Sequence, residues 1–213
     1  MTMTHRAATA AALFLLLAAC LREGQIAEGG VYVTRTGCPQ VAIPAATGDI
    51  TLFDPAGSTD ARAIDVVATI TNVRAACTED GQNIVSTATF DVVATRRDAG
   101  AARQVVLPYF AVAVQGGTNI VAKRVGAVAL NFPAGSLRAQ TNGQTISRVA
   151  RAAVALPADI QRELTRERKP GDADAAVDPL TDPRIRQAVA QATFEHLVGF
   201  QLTTEQLRYN ATR

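Results

Sequence analysis

Ile64-Asp65-Val66-Val67-Ala68-Thr69-Ile70-Thr71 and Thr87-Ala88-Thr89-Phe90-Asp91-Val92-Val93-Ala94-Thr95 are the two runs on which the fold turns. In the first, Ile64, Val66, Ala68 and Ile70 alternate with Asp65, Thr69 and Thr71. In the second, Ala88, Phe90, Val92 and Ala94 alternate with Thr87, Thr89, Asp91 and Thr95. A period of two sends successive side chains to opposite faces, so each run predicts a half-buried β-strand. Between them Glu79-Asp80-Gly81-Gln82 supplies turn chemistry, with Asp-Gly a preferred hairpin pair.

The same grammar continues over the stretch from Ala63 to Leu156. Asp98 to Ala101 contains Gly100 and predicts a turn. Gln104 to Gln115 is apolar on both faces, as a strand covered on both sides would be. Gly116-Gly117 predicts a hairpin into Ile120 to Phe132, where the alternation slips near Lys123, Arg124 and Gly126, and a β-bulge is expected at Gly126. Asn142-Gly143 predicts another turn before Ile146 to Leu156. Upstream, shorter strands are expected at Val31 to Arg35, Val41 to Ile43 and Ile50 to Phe53. Several antiparallel strands joined by hairpins predict a mainly β chain: an immunoglobulin/fibronectin III-like antiparallel β-sandwich over residues 31-157, with C-terminal α-helices. The buried Trp and the Cys…Trp…Cys spacing of true immunoglobulin domains are absent, and a small closed barrel is the alternative.

Residues 158-213 read as a helical extension. Pro157 suits a first helical position, and Ile160 and Leu164 share a face. Residues 169-182 carry Pro170, Gly171, Pro179 and four aspartates, which predicts a linker. Asp182 then serves as N-cap before Pro183. Ile185, Val189, Ala192 and His196 line one face of the helix expected next, with Gly199 ending it. Thr203 and Gln206 fit a capping box, and Leu202 with Leu207 fits a hydrophobic staple.

The N-terminus has a different character. Met1 to Arg6 is short and carries Arg6, and Ala7 to Leu17 is apolar. At 1.5 Å per residue, Ala7 to Ala19 covers about 20 Å of a roughly 30 Å hydrocarbon core, too little to span it. The run closes with Leu17-Ala18-Ala19-Cys20, which resembles the lipobox of bacterial lipoproteins. The resemblance implies that residues 1-19 are a signal peptide and that Cys20 becomes an acylated N-terminus. It implies a partner in the membrane itself, through the N-terminal lipid anchor, and a location in the bacterial cell envelope. Two or more acyl chains make such anchoring stable. Leu21, where an Asp would favour inner-membrane retention, leans the expectation toward the outer membrane. Residues 20-30 are polar and glycine-containing, as a flexible tether leaving the bilayer would be.

With Cys20 acylated, Cys38 and Cys77 remain, in a compartment where disulfides persist. Their bridge would close a loop of about forty residues, worth roughly 4 kcal/mol by chain entropy. No metal or cofactor is expected. Of the two histidines, His5 falls within the signal, and no further ligands stand at zinc-like spacing. Lys plus Arg number 21 against 19 Asp plus Glu, a formal charge of +2 that includes Arg6. Such a balance sets up no field for nucleic acid.

The sequence holds no Gly-rich phosphate loop, no G-x-S-x-G elbow, no H-E-x-x-H and no paired C-x-x-C. His196 reads as a partly buried helix residue. Asp172, Asp174, Asp178 and Asp182 depart from the EF-hand spacing and read as linker charge with an N-cap. Arg148, Arg151, Arg162, Arg166 and Arg168 read as a solvated, internally paired run, with contacts to lipid phosphates or acidic glycans the alternative. Asn210-Ala211-Thr212 has the glycosylation pattern, incidental in a bacterial envelope. The expectation is a non-catalytic structural or protein-interaction module with an envelope protein partner. The alternative is a carrier of a small or lipidic ligand held between the sandwich and the C-terminal helices. An enzyme, as an envelope hydrolase, ranks last.

Overall fold

A computed structural model describes residues 36–169 and 171–212. Cys20, the tether and the strand expected at Val31 to Arg35 lie outside the described residues. The elements in chain order are β1 (Gln40–Ala42), β2 (Asp49–Phe53), β3 (Ile64–Asp80), β4 (Asn83–Arg96), β5 (Arg103–Gln115), β6 (Asn119–Phe132) and β7 (Arg138–Ala150). Among the described residues these are followed by four α-helices and a further strand: α1 (Arg151–Val154), α2 (Ala158–Thr165), α3 (Pro183–Gln191), β8 (Phe194–Phe200) and α4 (Thr204–Thr212).

The strands form two four-stranded sheets, ordered β1-β8-β5-β6 and β2-β3-β4-β7. Below they are the β5 sheet and the β4 sheet. The chain is mainly β, and its two sheets pack as a sandwich. All pairings are antiparallel except β1 with β8. The two runs quoted at the outset face one another: Ile70 pairs with Val92 and Ala68 with Ala94. Their inward residues, Val66, Ala68, Ile70, Phe90 and Val92, meet Leu107, Leu130, Phe132, Val198 and Phe200 from the β5 sheet in one core. Fully burying a side chain of this size contributes about 1.5–3 kcal/mol, so these facing stripes dominate the stability.

β5 is covered on both sides over its second half only; in its first half Val106 is 57% exposed on the outer face. Ala111, Val112, Ala113 and Val114 are consecutive and all buried. The turns at Gly81 and Gly116-Gly117 form with positive φ at each of these glycines. The disulfide Cys38–Cys77 is present and ties the segment before β1 to the outer part of β3. The capping box forms in both directions: the Thr203 amide donates to Gln206 Oε1 at 2.9 Å, and the Gln206 amide donates to Thr203 Oγ1 at 3.2 Å.

Four expectations are corrected. The bulge lies at Val121, not Gly126: Val114 pairs with Ile120 and Ala113 with Ala122, leaving Val121 over. Asn142-Gly143 is no turn. It sits mid-strand in β7, with Gly143 opposite Phe90. The strand that follows ends at Ala150, where α1 begins, so it does not run on to Leu156. Finally, the helix starting at Pro183 stops at Gln191, and His196 belongs to β8. The β5 sheet thus takes an interior strand from beyond residue 157. Phe194, His196, Val198 and Phe200 alternate inward, and the slot between β1 and β5 rewards that period over the helical one.

The sandwich has two unlike edges. At one, β1 and β2 are edge strands, and α4 packs on β2. There Phe53 meets Tyr209 edge-on at 5.2 Å, and Asn210 Nδ2 donates to the carbonyls of Ala46 and Asp49. At the other, β6 and β7 approach without pairing, and the four-residue α1 follows directly from the end of β7. Among those residues no helix is long and apolar enough to cross a membrane.

Candidate functional site

The alternation of β8 drives His196 into the space between the sheets, where it is fully buried. Its Nδ1 lies 3.1 Å from Ser86 Oγ on β4, and its Nε2 lies 2.9 Å from Thr145 Oγ1 on β7. One imidazole therefore joins the β5 sheet to two strands of the β4 sheet. Burial pushes its pKa below the ordinary value, so the ring is neutral. A neutral ring has one N–H and one lone pair. One hydroxyl accepts from the former and the other donates to the latter, and both nitrogens are satisfied. Serine beside histidine is the composition of a nucleophile–base pair. Here both are buried, and the second ring nitrogen meets a threonine hydroxyl where such pairs use a carboxylate. The arrangement suits a polar cross-link between sheets. Sequence reading passed over Ser86 and Thr145. The available signal was phase, since Ser86 falls on the inward stripe with Ile84, Ala88 and Phe90.

Beside this cross-link the β6–β7 edge opens into a cleft. One part, of about 300 Å³, runs over Tyr109, Gly126 and Thr145; a second, of about 90 Å³, continues over Ala122 and Ser147 to the edge of His196. Arg124 on β6 and Arg148 on β7 border both parts. The floor depends on two glycines. A Cβ at Gly126 would stand 2.6 Å from Tyr109 Cζ, and one at Gly143 would stand 2.3 Å from Phe90 Cζ. Their absence lets the two rings pack edge-to-face at 5.3 Å, while the Tyr109 hydroxyl donates across the sandwich to the Gln144 carbonyl.

β6 itself divides in two. From Val128 to Phe132 every second residue is buried, whereas Asn119 to Val125 is exposed on both faces. Ile120, Val121 and Val125 are 60%, 47% and 61% exposed. A different concavity, of about 400 Å³, lies on the outer face of the β5 sheet beneath α4. Phe110, Val112, Leu197, Leu202 and Leu207 line it, and Gln201 contributes a buried Oε1 without a partner among the described residues. The ammonium of Lys123 sits over the Phe110 ring at its border, 5.7 Å from the centroid. A third, of about 520 Å³, lies on the outward side of the β4 sheet.

The remaining sequence candidates resolve into local structure. Asp172 Oδ2 accepts from the Lys169 amide, Asp174 pairs with Arg166, and Asp178 and Asp182 cap the short helical turns after them. Arg151 pairs with Glu79, Arg166 and Arg168 with Glu163, and Arg162 donates to the Ala158 carbonyl. Arg148 stands apart from this run, exposed on the edge strand β7 at the border of the cleft. No protein-family model matches the chain, and no curated protein and no solved structure is significantly similar to it.

Proposed function

We propose that this chain is a lipid-anchored, periplasm-facing envelope lipoprotein that acts as a non-catalytic structural or protein-interaction module. The observation that carries the reading is the exposed half of β6. An edge strand with exposed Ile120, Val121 and Val125 offers unpaired backbone and apolar side chains together. Lys123 and Arg124, among those apolar residues, discourage pairing with a second copy, which would bring like charges together. In this reading the sandwich is immunoglobulin-like in its packing, with a strand order of its own and a parallel β1–β8 pair. The Leu17-Ala18-Ala19-Cys20 resemblance supplies the anchor and, through Leu21, the outer-membrane preference.

Two measurements test it. Intact mass analysis of envelope-derived protein should find residues 1-19 removed and Cys20 carrying acyl chains. An uncut leader or a free thiol there overturns the anchor. Purification in neutral detergent should recover a stoichiometric protein partner with the native chain and lose it with the Ile120→Lys, Val121→Lys double variant. Recovery of the lone chain overturns the module.

A second reading, a carrier of a small or lipidic ligand, is favoured by the 400 Å³ concavity between the outer face of β5 and Leu207 of α4. Its buried Gln201 Oε1, partnerless among the described residues, asks for a hydrogen-bond donor, which a bound molecule would supply. Native mass spectrometry should find a co-purifying molecule, and a bare chain counts against it.

A further inference from the structure

We infer that the cleft between β6 and β7 is an oxyanion-binding site, in which Arg124 and Arg148 hold a phosphate or carboxylate group and the Tyr109 floor receives the ligand's apolar part. The inference deepens the reading of this edge as a recognition surface by naming the chemistry it takes.

Three observations converge. First, Arg124 and Arg148 come from different sheets and border both parts of one cleft, yet neither forms an ion pair among the described residues. Other arginines of the chain do find carboxylates, such as Arg103 with Asp65 at 2.6 Å and Arg184 with Asp159 at 2.8 Å. Second, among the described residues no carboxylate lines either part of the cleft. Two guanidinium groups beside a low-dielectric wall, without a counter-charge, leave a local positive field. A guanidinium fork matches the oxygen spacing of phosphate and carboxylate, which a single ammonium does not.

Third, the floor is prearranged. Gly126 and Gly143 admit the Phe90–Tyr109 pair, Tyr109 is tied across the sandwich to Gln144, and Thr145 is held by His196. A site that need not order itself on binding loses less affinity to conformational entropy. Val125 and Ile146 flank this floor with exposed apolar surface. A volume of about 300 Å³ suits a compact ligand with an anionic group and a small apolar body. That chemistry could come from a free phosphate ester or from the headgroup of an anionic phospholipid.

The test titrates the full-length chain in neutral detergent with phenyl phosphate, and separately with submicellar dihexanoylphosphatidylglycerol, by calorimetry. Saturable binding is expected. Arg124→Ala and Arg148→Ala should each weaken it by about tenfold, equivalent to about 1.4 kcal/mol. The double variant should abolish it, and lysine at either position should restore it only in part. Arg162→Ala is the control and should bind as the native chain does. Thermal unfolding of the arginine variants should match the native chain, separating recognition from folding. Binding of phenyl phosphate alone assigns a free ester; tighter binding of the lipid analogue, in competition with phenyl phosphate, assigns a headgroup. Absence of saturable binding of either probe, or binding undiminished in the double arginine variant, overturns the site. Partner recovery through Ile120 and Val121 is read in a separate preparation, so either claim can fail while the other stands.

Discussion

His196 Nε2 lies 2.9 Å from Thr145 Oγ1, and this contact links a strand of one sheet to an edge strand of the other. Because the imidazole is buried without a carboxylate beside it, its charged form is disfavoured and its pKa falls below the ordinary 6.5. The unfolded chain, where the ring is solvated, binds a proton near that ordinary value. Between the two values the unfolded state holds more protons, so stability rises with pH. The histidine's contribution is complete above about pH 6.5 and is lost as pH falls below it. Urea unfolding between pH 7.5 and 5 should show this loss, and His196→Asn should flatten the curve over that window. Asp65, held below the usual carboxylate range chiefly by its hydrogen bond from Arg103, loses its contribution only at more acidic pH. An equal slope in native and His196→Asn chains would place the effect elsewhere.

Gly143→Ala should destabilise the fold by about 1–3 kcal/mol, the usual cost of overpacking. The added methyl would meet the Phe90 ring, and the φ of Gly143 is not in the left-handed region, so the effect is steric alone. Gly126→Ala should act likewise through Tyr109. Gly100, where a Cβ would meet nothing within 4 Å, provides the control and should change stability by less than about 0.5 kcal/mol. Denaturant midpoints of the three variants decide the matter.

Arg96 holds two turns together. Its guanidinium donates to the carbonyls of Gly100 and Ala101 after β4 and of Pro133 and Ser136 after β6, and lies over the Phe132 ring at 5.3 Å. Lysine has three donors on one nitrogen and cannot reach all four acceptors in this planar array. Arg96→Lys should therefore cost about 2 kcal/mol, the scale of losing a charge-assisted hydrogen bond. Amide hydrogen exchange should quicken first in the turns 97–102 and 133–137. Uniform quickening across the sheets would argue against a local clasp.

The strands were legible in the sequence where burial on one face and solvent on the other left a period of two, as in β3 and β4. They were legible too in the apolar run of β5, whose outer face is covered from Ala111 to Val114. Two of the misreadings, at Gly126 and Gly143, share one cause. Glycine carries two meanings: freedom of φ, which serves at Gly81 and Gly116, and absence of a side chain, which serves at Gly126 and Gly143. Only the partner rings, distant in sequence, tell these apart. β8 was hidden because Ile185, Val189, Ala192 and His196 satisfy a helical period that Phe194, His196, Val198 and Phe200 contest. The neighbours β1 and β5 decide between them. The cleft was least legible, since Arg124 and Arg148 come together only through the packing of one sheet on another.

The Cys38–Cys77 bridge provides the final prediction. It spans 39 positions, and a loop of that length constrains the unfolded chain by roughly 4 kcal/mol. The Cys38→Ser, Cys77→Ser chain should unfold at correspondingly lower denaturant concentration, and a reductant should bring the native chain to the same midpoint. The bridge joins the described N-terminal segment to β3, whose outer part from Thr71 onward is mostly exposed, so the sandwich core is built without it. The double variant should accordingly keep the His196 pH dependence, since the imidazole and its two hydroxyl partners belong to β8, β4 and β7. Loss of that dependence along with the bridge would show that the disulfide sets the sheet packing rather than fastening one end of it.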